Sequence, residues 1–130
     1  MLMLQSVLDA IRADAAAAFP RECCGLLLGS DGAVHAARPA ANVDPQPLHR
    51  FAIDPAALIA AHRAARAGGP QVVGYYHSHP RGPGVPSAAD RAGAAGDGRI
   101  WAILGADGAI GCWRDDPGGF TPLSHRVIPG

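Results

Sequence analysis

Tyr76-His77-Ser78-His79-Pro80, with its continuation Pro86-Ser87-Ala88-Ala89-Asp90, is the stretch on which the reading of this chain turns. It follows Val72-Val73-Gly74-Tyr75-Tyr76, an apolar run rich in β-branched and aromatic residues, and so marks the end of a buried strand. Side chains two apart on a strand point the same way, with their backbones about 6.6 Å apart. Two imidazoles at that spacing can converge on one ion, about 2.0–2.1 Å from each nitrogen. Pro80 stops the strand, and a short Gly/Pro loop leads to Ser87, which has the position of a helix N-cap and puts Asp90 in the first turn. His77, His79 and Asp90 thus make a candidate three-ligand set with a fourth position open, the arrangement of a catalytic rather than a structural zinc. Each part also has a plainer reading. The His-x-His pair can be a polar strand face, and Ser87-x-x-Asp90 is close to a capping box, although Glu or Gln is the usual fourth residue. An Asp fixed by a helix start can be both a cap and a positioned ligand.

His77-Ser78-His79-Pro80, the ten residues between His79 and Asp90, and Pro86-Ser87-x-x-Asp90 resemble the signature of the JAMM (MPN-plus) zinc metalloproteases, in particular the small bacterial members. That family also carries a glutamate far upstream near the start of a strand, and Pro20-Arg21-Glu22-Cys23-Cys24-Gly25-Leu26-Leu27-Leu28-Gly29 resembles that segment. By this resemblance His77, His79 and Asp90 hold one Zn2+ per chain, Glu22 is the general base and later proton donor of amide hydrolysis, and the Ser87 hydroxyl steadies the oxyanion. All five positions match the family pattern, which disfavours its inactive, ligand-lacking branch. The small relatives act on ubiquitin-fold (β-grasp) sulfur-carrier proteins, so the resemblance implies a carrier with a Gly-Gly C-terminus as substrate. The loop Arg81-Gly82-Pro83-Gly84-Val85 would then border a narrow groove for that tail. The alternative is a non-catalytic JAMM-like module that binds a ubiquitin-fold partner without cleaving it.

Composition narrows the classes. A chain of 130 residues reads as one domain, residues 1–130. Lys+Arg and Asp+Glu are both 11, so nothing suggests a nucleic-acid footprint or a polybasic membrane patch. No apolar run approaches the roughly 20 residues of a spanning helix. No basic and apolar leader opens the chain, and a cytoplasmic location is the default expectation. Oligomeric state is not readable. Cys23, Cys24 and Cys112 are an odd set in apolar surroundings and read as structural thiols. There is no Gly-x-Ser-x-Gly for a serine hydrolase, and neither His-x-Glu nor Pro-Cys-x-x-Cys for a zinc deaminase.

Taken in order, Leu4, Leu8, Ile11, Ala15 and Ala18 give one apolar stripe on a helix over residues 5–19. A strand over 23–28 follows, then an Asp31-Gly32 hairpin turn into a strand over 33–37. Residues 42–48 read as an exposed loop and 50–53 as a short strand. Asp54-Pro55 opens a helix to about residue 67, ended by Gly68-Gly69-Pro70. The central strand spans 71–79 and a short helix 87–95. Three further strands are expected over 100–104, 110–115 and 120–127. His35, His49, His62 and His125 lack partners at ligand spacing. The expected fold is an α/β sandwich, a mixed and mostly antiparallel sheet with helices packed on it.

Overall fold

Local chemistry starts most of the elements where the sequence places them. The computed structural model describes all 130 residues. In chain order it contains β1 (Leu2–Leu4), α1 (Gln5–Ala18), β2 (Cys24–Ser30), β3 (Ala33–Ala40), α2 (Pro55–Arg66), β4 (Gln71–Ser78), α3 (Ala88–Gly93), β5 (Ile100–Leu104), β6 (Ile110–Asp116), β7 (Gly119–Leu123) and β8 (Arg126–Ile128). At the head of α2 the Asp54 carboxylate accepts the Ala56 N–H at 3.1 Å, with Pro55 following it. The β2–β3 turn runs through Gly32 at φ +76°, a conformation that costs a glycine little.

The strands form one sheet in the order β7-β6-β5-β4-β2-β3-β1-β8. Four neighbouring pairs are antiparallel and three, β1–β3, β1–β8 and β4–β5, are parallel. β7 and β8 sit on opposite edges although only Ser124 and His125 separate them. Laid flat, eight strands would hold those edges about 34 Å apart at about 4.8 Å per step. Three residues span at most about 11 Å. The sheet therefore curls until its edges nearly meet.

Inside the curl lies α1. Its Val7, Leu8 and Ile11 pack with Met3, Leu27, Val34, Tyr76, Ala102 and Cys112, contributed by six different strands. Ile11 is fully buried, which is worth about 1.5–3 kcal/mol in transfer alone. The outer face is covered by α2, whose Ala61 and Leu58 meet Leu26, Leu28 and Val72. Along β2 the period of two sends Leu27 inward and Leu26 and Leu28 outward. A register shift opposite β4 falls between Leu27 and Leu28, so Val72 and Tyr75 share the outer face although they are three apart.

Beyond shifted ends, such as β3 running to Ala40 and α3 stopping at Gly93, three details differ from the sequence reading. Residues 50–53 form no strand beyond a single bridge between Asn42 and Ile53. The Asn42 side chain acts as the missing partner strand: its Nδ2 donates to the Arg50 carbonyl and its Oδ1 accepts the Ala52 N–H, at 3.0 and 3.1 Å. The expected strand over 120–127 is two strands on opposite sheet edges. The first three-residue strand, β1, carries too short a pattern to register in the sequence.

Candidate metal centre

The centre is assembled at the C-terminal end of β4. His77 stands opposite Cys24 of β2 and Ile103 of β5, in the middle of the sheet, and is fully buried. Phe51 stacks on its ring at 4.1 Å between centroids, and Trp101 meets it edge-on at 5.6 Å. His79 lies just past the strand, held by its N–H on the Leu104 carbonyl and by Nδ1 on the Pro83 carbonyl, both at 2.8 Å. A carbonyl only accepts, so Nδ1 carries the proton and Nε2 of a neutral His79 offers its lone pair. The loop supplying Pro83 is pinned in turn, because Trp113 Nε1 donates to the Gly84 carbonyl at 3.0 Å. A Cβ on Gly111 would come within 2.2 Å of that same carbonyl, so the loop can pack this closely only on a glycine.

Asp90 arrives from α3 through a reciprocal capping box. Its N–H donates to Ser87 Oγ at 3.1 Å, and its Oδ2 accepts the Ser87 N–H at 2.9 Å. The same Oδ2 lies 3.0 Å from His77 Nε2 and 3.1 Å from His79 Nε2, and the two Nε2 atoms are 3.1 Å apart. Burial lowers the pKa of His77. For His79 the effect of burial is outweighed by the Asp90 hydrogen bond and the Pro83 carbonyl, and its pKa rises. Asp90, which burial alone would push up, is held well below the usual carboxylate range by the two imidazoles.

Glu22 precedes β2 and is nearly buried. Its carboxylate makes no hydrogen bond to the protein, and Oε1 is a buried acceptor without a partner. One of its oxygens and a ring nitrogen from each of His77 and His79 all lie within 4.8 Å of one another. Burial pushes the Glu22 pKa up to about 7; His79 opposes this, and the charges of Asp90 and Asp44 add to it.

These residues fit a metal ion. Tetrahedral donors about 2.05 Å from zinc stand about 3.3 Å from each other. The triangle of His77, His79 and Asp90 needs only a few tenths of an ångström of expansion to reach that. Three lone-pair-bearing atoms packed so closely in a buried site repel unless a proton or a cation lies among them.

All five residues singled out in the sequence therefore meet in one place. Three supports carried no sequence signal. Phe51 and Trp101 clamp His77, Ser78 Oγ accepts the Cys23 N–H at 2.9 Å, and Asn42 Nδ2 donates to the Glu22 carbonyl at 3.0 Å. The three cysteines are buried and unpaired, with thiol pKa values pushed by burial to about 12, 12 and 11, as structural thiols should be.

Comparison with known proteins identifies the family. Residues 4–116 match the family described as prokaryotic homologs of the JAB domain. The chain belongs to this family. A desampylase of Haloferax volcanii is 39% identical over 126 residues, covering 94% of this chain and 89% of that protein. A probable TtuB-protein conjugate cleaving protease of Thermus thermophilus is 37% identical over 86 residues, 66% of this chain and 57% of that protein. In fold, the chain is similar to a JAB1/MPN domain protein of Archaeoglobus fulgidus, with a TM-score of 0.68 and 21% identity, over 98% of this chain and 99% of that one. The α/β sandwich read from the sequence is the fold of this family.

Proposed function

We propose that this protein is a zinc-dependent peptidase or isopeptidase that hydrolyses an amide bond after the Gly-Gly C-terminus of a ubiquitin-like sulfur-carrier protein. The observation that carries the reading is the 3.0–3.1 Å triangle of His77, His79 and Asp90, with the unpartnered Glu22 carboxylate beside it. Relatives named as a desampylase and as a conjugate-cleaving protease support the substrate class.

In this reading His77, His79 and Asp90 hold the ion and Glu22 does not, because Asp90 Oδ2 touches both ring nitrogens whereas Glu22 bonds neither. Zinc held there supplies Lewis-acid activation of water and of the scissile carbonyl. Glu22 takes the proton of the attacking water and returns it to the leaving amine. Burial favours the protonated form of Glu22, and its unpartnered Oε1 leaves the carboxylate free to take up and return a proton. The Ser87 hydroxyl donates to the oxyanion of the tetrahedral intermediate. Capping uses a lone pair of Oγ, accepting the Asp90 N–H, and leaves the hydroxyl proton free for that second role. A Gly-Gly tail, having no side chains, can lie extended beside the pinned 81–85 loop. Residues 1–130 act here as one catalytic domain. No helix is long and apolar enough to cross a membrane, and the three unpaired thiols suit the reducing cytoplasm.

Metal analysis combined with mass spectrometry of a Gly-Gly carrier bearing a C-terminal extension tests the proposal. One zinc per chain and loss of the extension are expected, both abolished in His77→Ala and Asp90→Ala. A strong chelator should stop cleavage and zinc should restore it. Equal zinc in wild type and both variants would refute the ligand set.

A further inference from the structure

We propose that Phe51 is a positioning residue for His77 as a metal ligand: its ring, stacked on the imidazole, takes the part that hydrogen bonds take for the other two ligands. This rests on the metal-binding reading above. His79 is fixed by Nδ1 on the Pro83 carbonyl, and Asp90 by its reciprocal cap with Ser87. A ligating histidine ordinarily donates its second ring N–H to a carbonyl or carboxylate in this way, which sets both the tautomer and the ring orientation. His77 does not. With Nε2 turned to Asp90 and His79, its Nδ1 carries the proton, and that atom is buried without an acceptor in the protein.

Pairing with β2 and β5 fixes the backbone of His77, but the last torsion of a histidine side chain is broad and roughly two-fold. Packing holds the ring plane instead. Phe51 lies nearly parallel to the imidazole at 4.1 Å and 23°, while Trp101 meets it edge-on at 5.6 Å and 89°. Trp101 belongs to β5 and is backed by Phe120 at 4.9 Å. Phe51 belongs to no strand or helix, so its place depends on the loop that carries it. Asn42 grips that loop on both sides of Phe51, donating from Nδ2 to the Arg50 carbonyl and accepting the Ala52 N–H at Oδ1. The Val43 N–H closes on the Ala52 carbonyl at 2.9 Å. A loop pinned at residues 50 and 52 presents the side chain of residue 51 as a fixed wall. Metal affinity and the order of this loop are thereby coupled, and such coupling is reciprocal.

The test uses the full-length protein, stripped of metal, with zinc alone as the probe and its Kd read by competition with a chromophoric chelator. Phe51→Leu keeps an apolar side chain but no flat face. It should raise the zinc Kd about 10–100-fold, the usual cost of losing a partner that orients a metal ligand. Phe51→Tyr restores the ring and should bind zinc as wild type does. Phe120→Leu removes a ring that packs on Trp101, from the same aromatic cluster, and should also leave the Kd unchanged. In wild type, zinc should slow hydrogen exchange at the Val43 and Ala52 amides, and that slowing should be lost in Phe51→Leu. Wild-type zinc affinity in Phe51→Leu would overturn the proposal. So would an equal loss in Phe120→Leu, which would make the effect one of general packing. Exchange at Val43 and Ala52 that ignores zinc would overturn the coupling to the loop. A wild-type protein that binds no zinc would overturn the metal-binding reading, and this proposal with it.

Discussion

Ser78 stands between the two histidines of the centre, and its side chain points to the opposite face of β4. Its Oγ accepts the Cys23 N–H at 2.9 Å, and both residues are buried, at 3% and 4% exposure. Cys23 follows Glu22 directly, so this bond anchors the segment that presents the proposed base. Ser78→Ala removes the acceptor and leaves a buried N–H without a partner. Such an orphaned donor costs about 1–3 kcal/mol, a sizeable part of the roughly 5–15 kcal/mol that holds a domain together. The backbone bond from the Ser78 N–H to the Cys23 carbonyl, 3.2 Å, remains and keeps the loss toward the lower half of that range. Urea unfolding in the presence of a chelator, which removes any contribution of metal, should show a midpoint lowered by on the order of 1 M. The same variant should bind zinc as wild type does, because His77 is held by the neighbouring strands and His79 by the Leu104 and Pro83 carbonyls. Turnover should fall about tenfold, equivalent to about 1.4 kcal/mol of barrier, as Glu22 loses its fixed position. Ser78→Thr keeps an acceptor on a β-branched strand residue and should recover most of both losses. An unchanged midpoint would refute the energetic argument. Loss of zinc together with turnover would show that Ser78 acts on the histidines and not on Glu22.

Glu22→Gln should keep one zinc per chain while turnover drops about 10²–10⁴-fold; a metal-free variant would make Glu22 a ligand. Ser87→Ala should retain zinc, lose about 1 kcal/mol of stability with its cap, and lower kcat about 10²–10³-fold with little change in KM. An unaltered kcat would leave Ser87 a cap only. Asn42→Ala deletes four hydrogen bonds that tie the Glu22 and Arg50 carbonyls to the Asp44 and Ala52 amides. In a partly exposed loop this should cost about 2–4 kcal/mol. Hydrogen exchange across residues 42–53 should rise, and unaltered protection would show that the loop is held by something else.

The sequence by itself determined the parts of this protein that depend on short spacing. His77 and His79 are two apart at the end of a strand, so the pleat, carried one residue past β4, starts both rings toward one face. Ser87 and Asp90 are three apart at a helix start, where a reciprocal cap fixes the carboxylate through contacts within the same turn. The hairpin at Gly32, the Asp54 cap and the apolar stripe of α1 follow from equally local rules. Only the tertiary structure decided what joins them. Glu22 reaches the centre because β2 pairs with β4 in the register that sets Cys24 opposite His77. Nothing in the residues near Glu22 specifies that register without the strand across from it. The curl of the sheet, which sends two strands only two residues apart to opposite edges, is a property of eight strands closing around one helix and leaves no local mark on residues 120–127. Phe51 lies in the loop before α2 and Trp101 on β5, far from each other and from His77 in sequence. Their convergence on one imidazole exists only once long-range packing has brought those elements together.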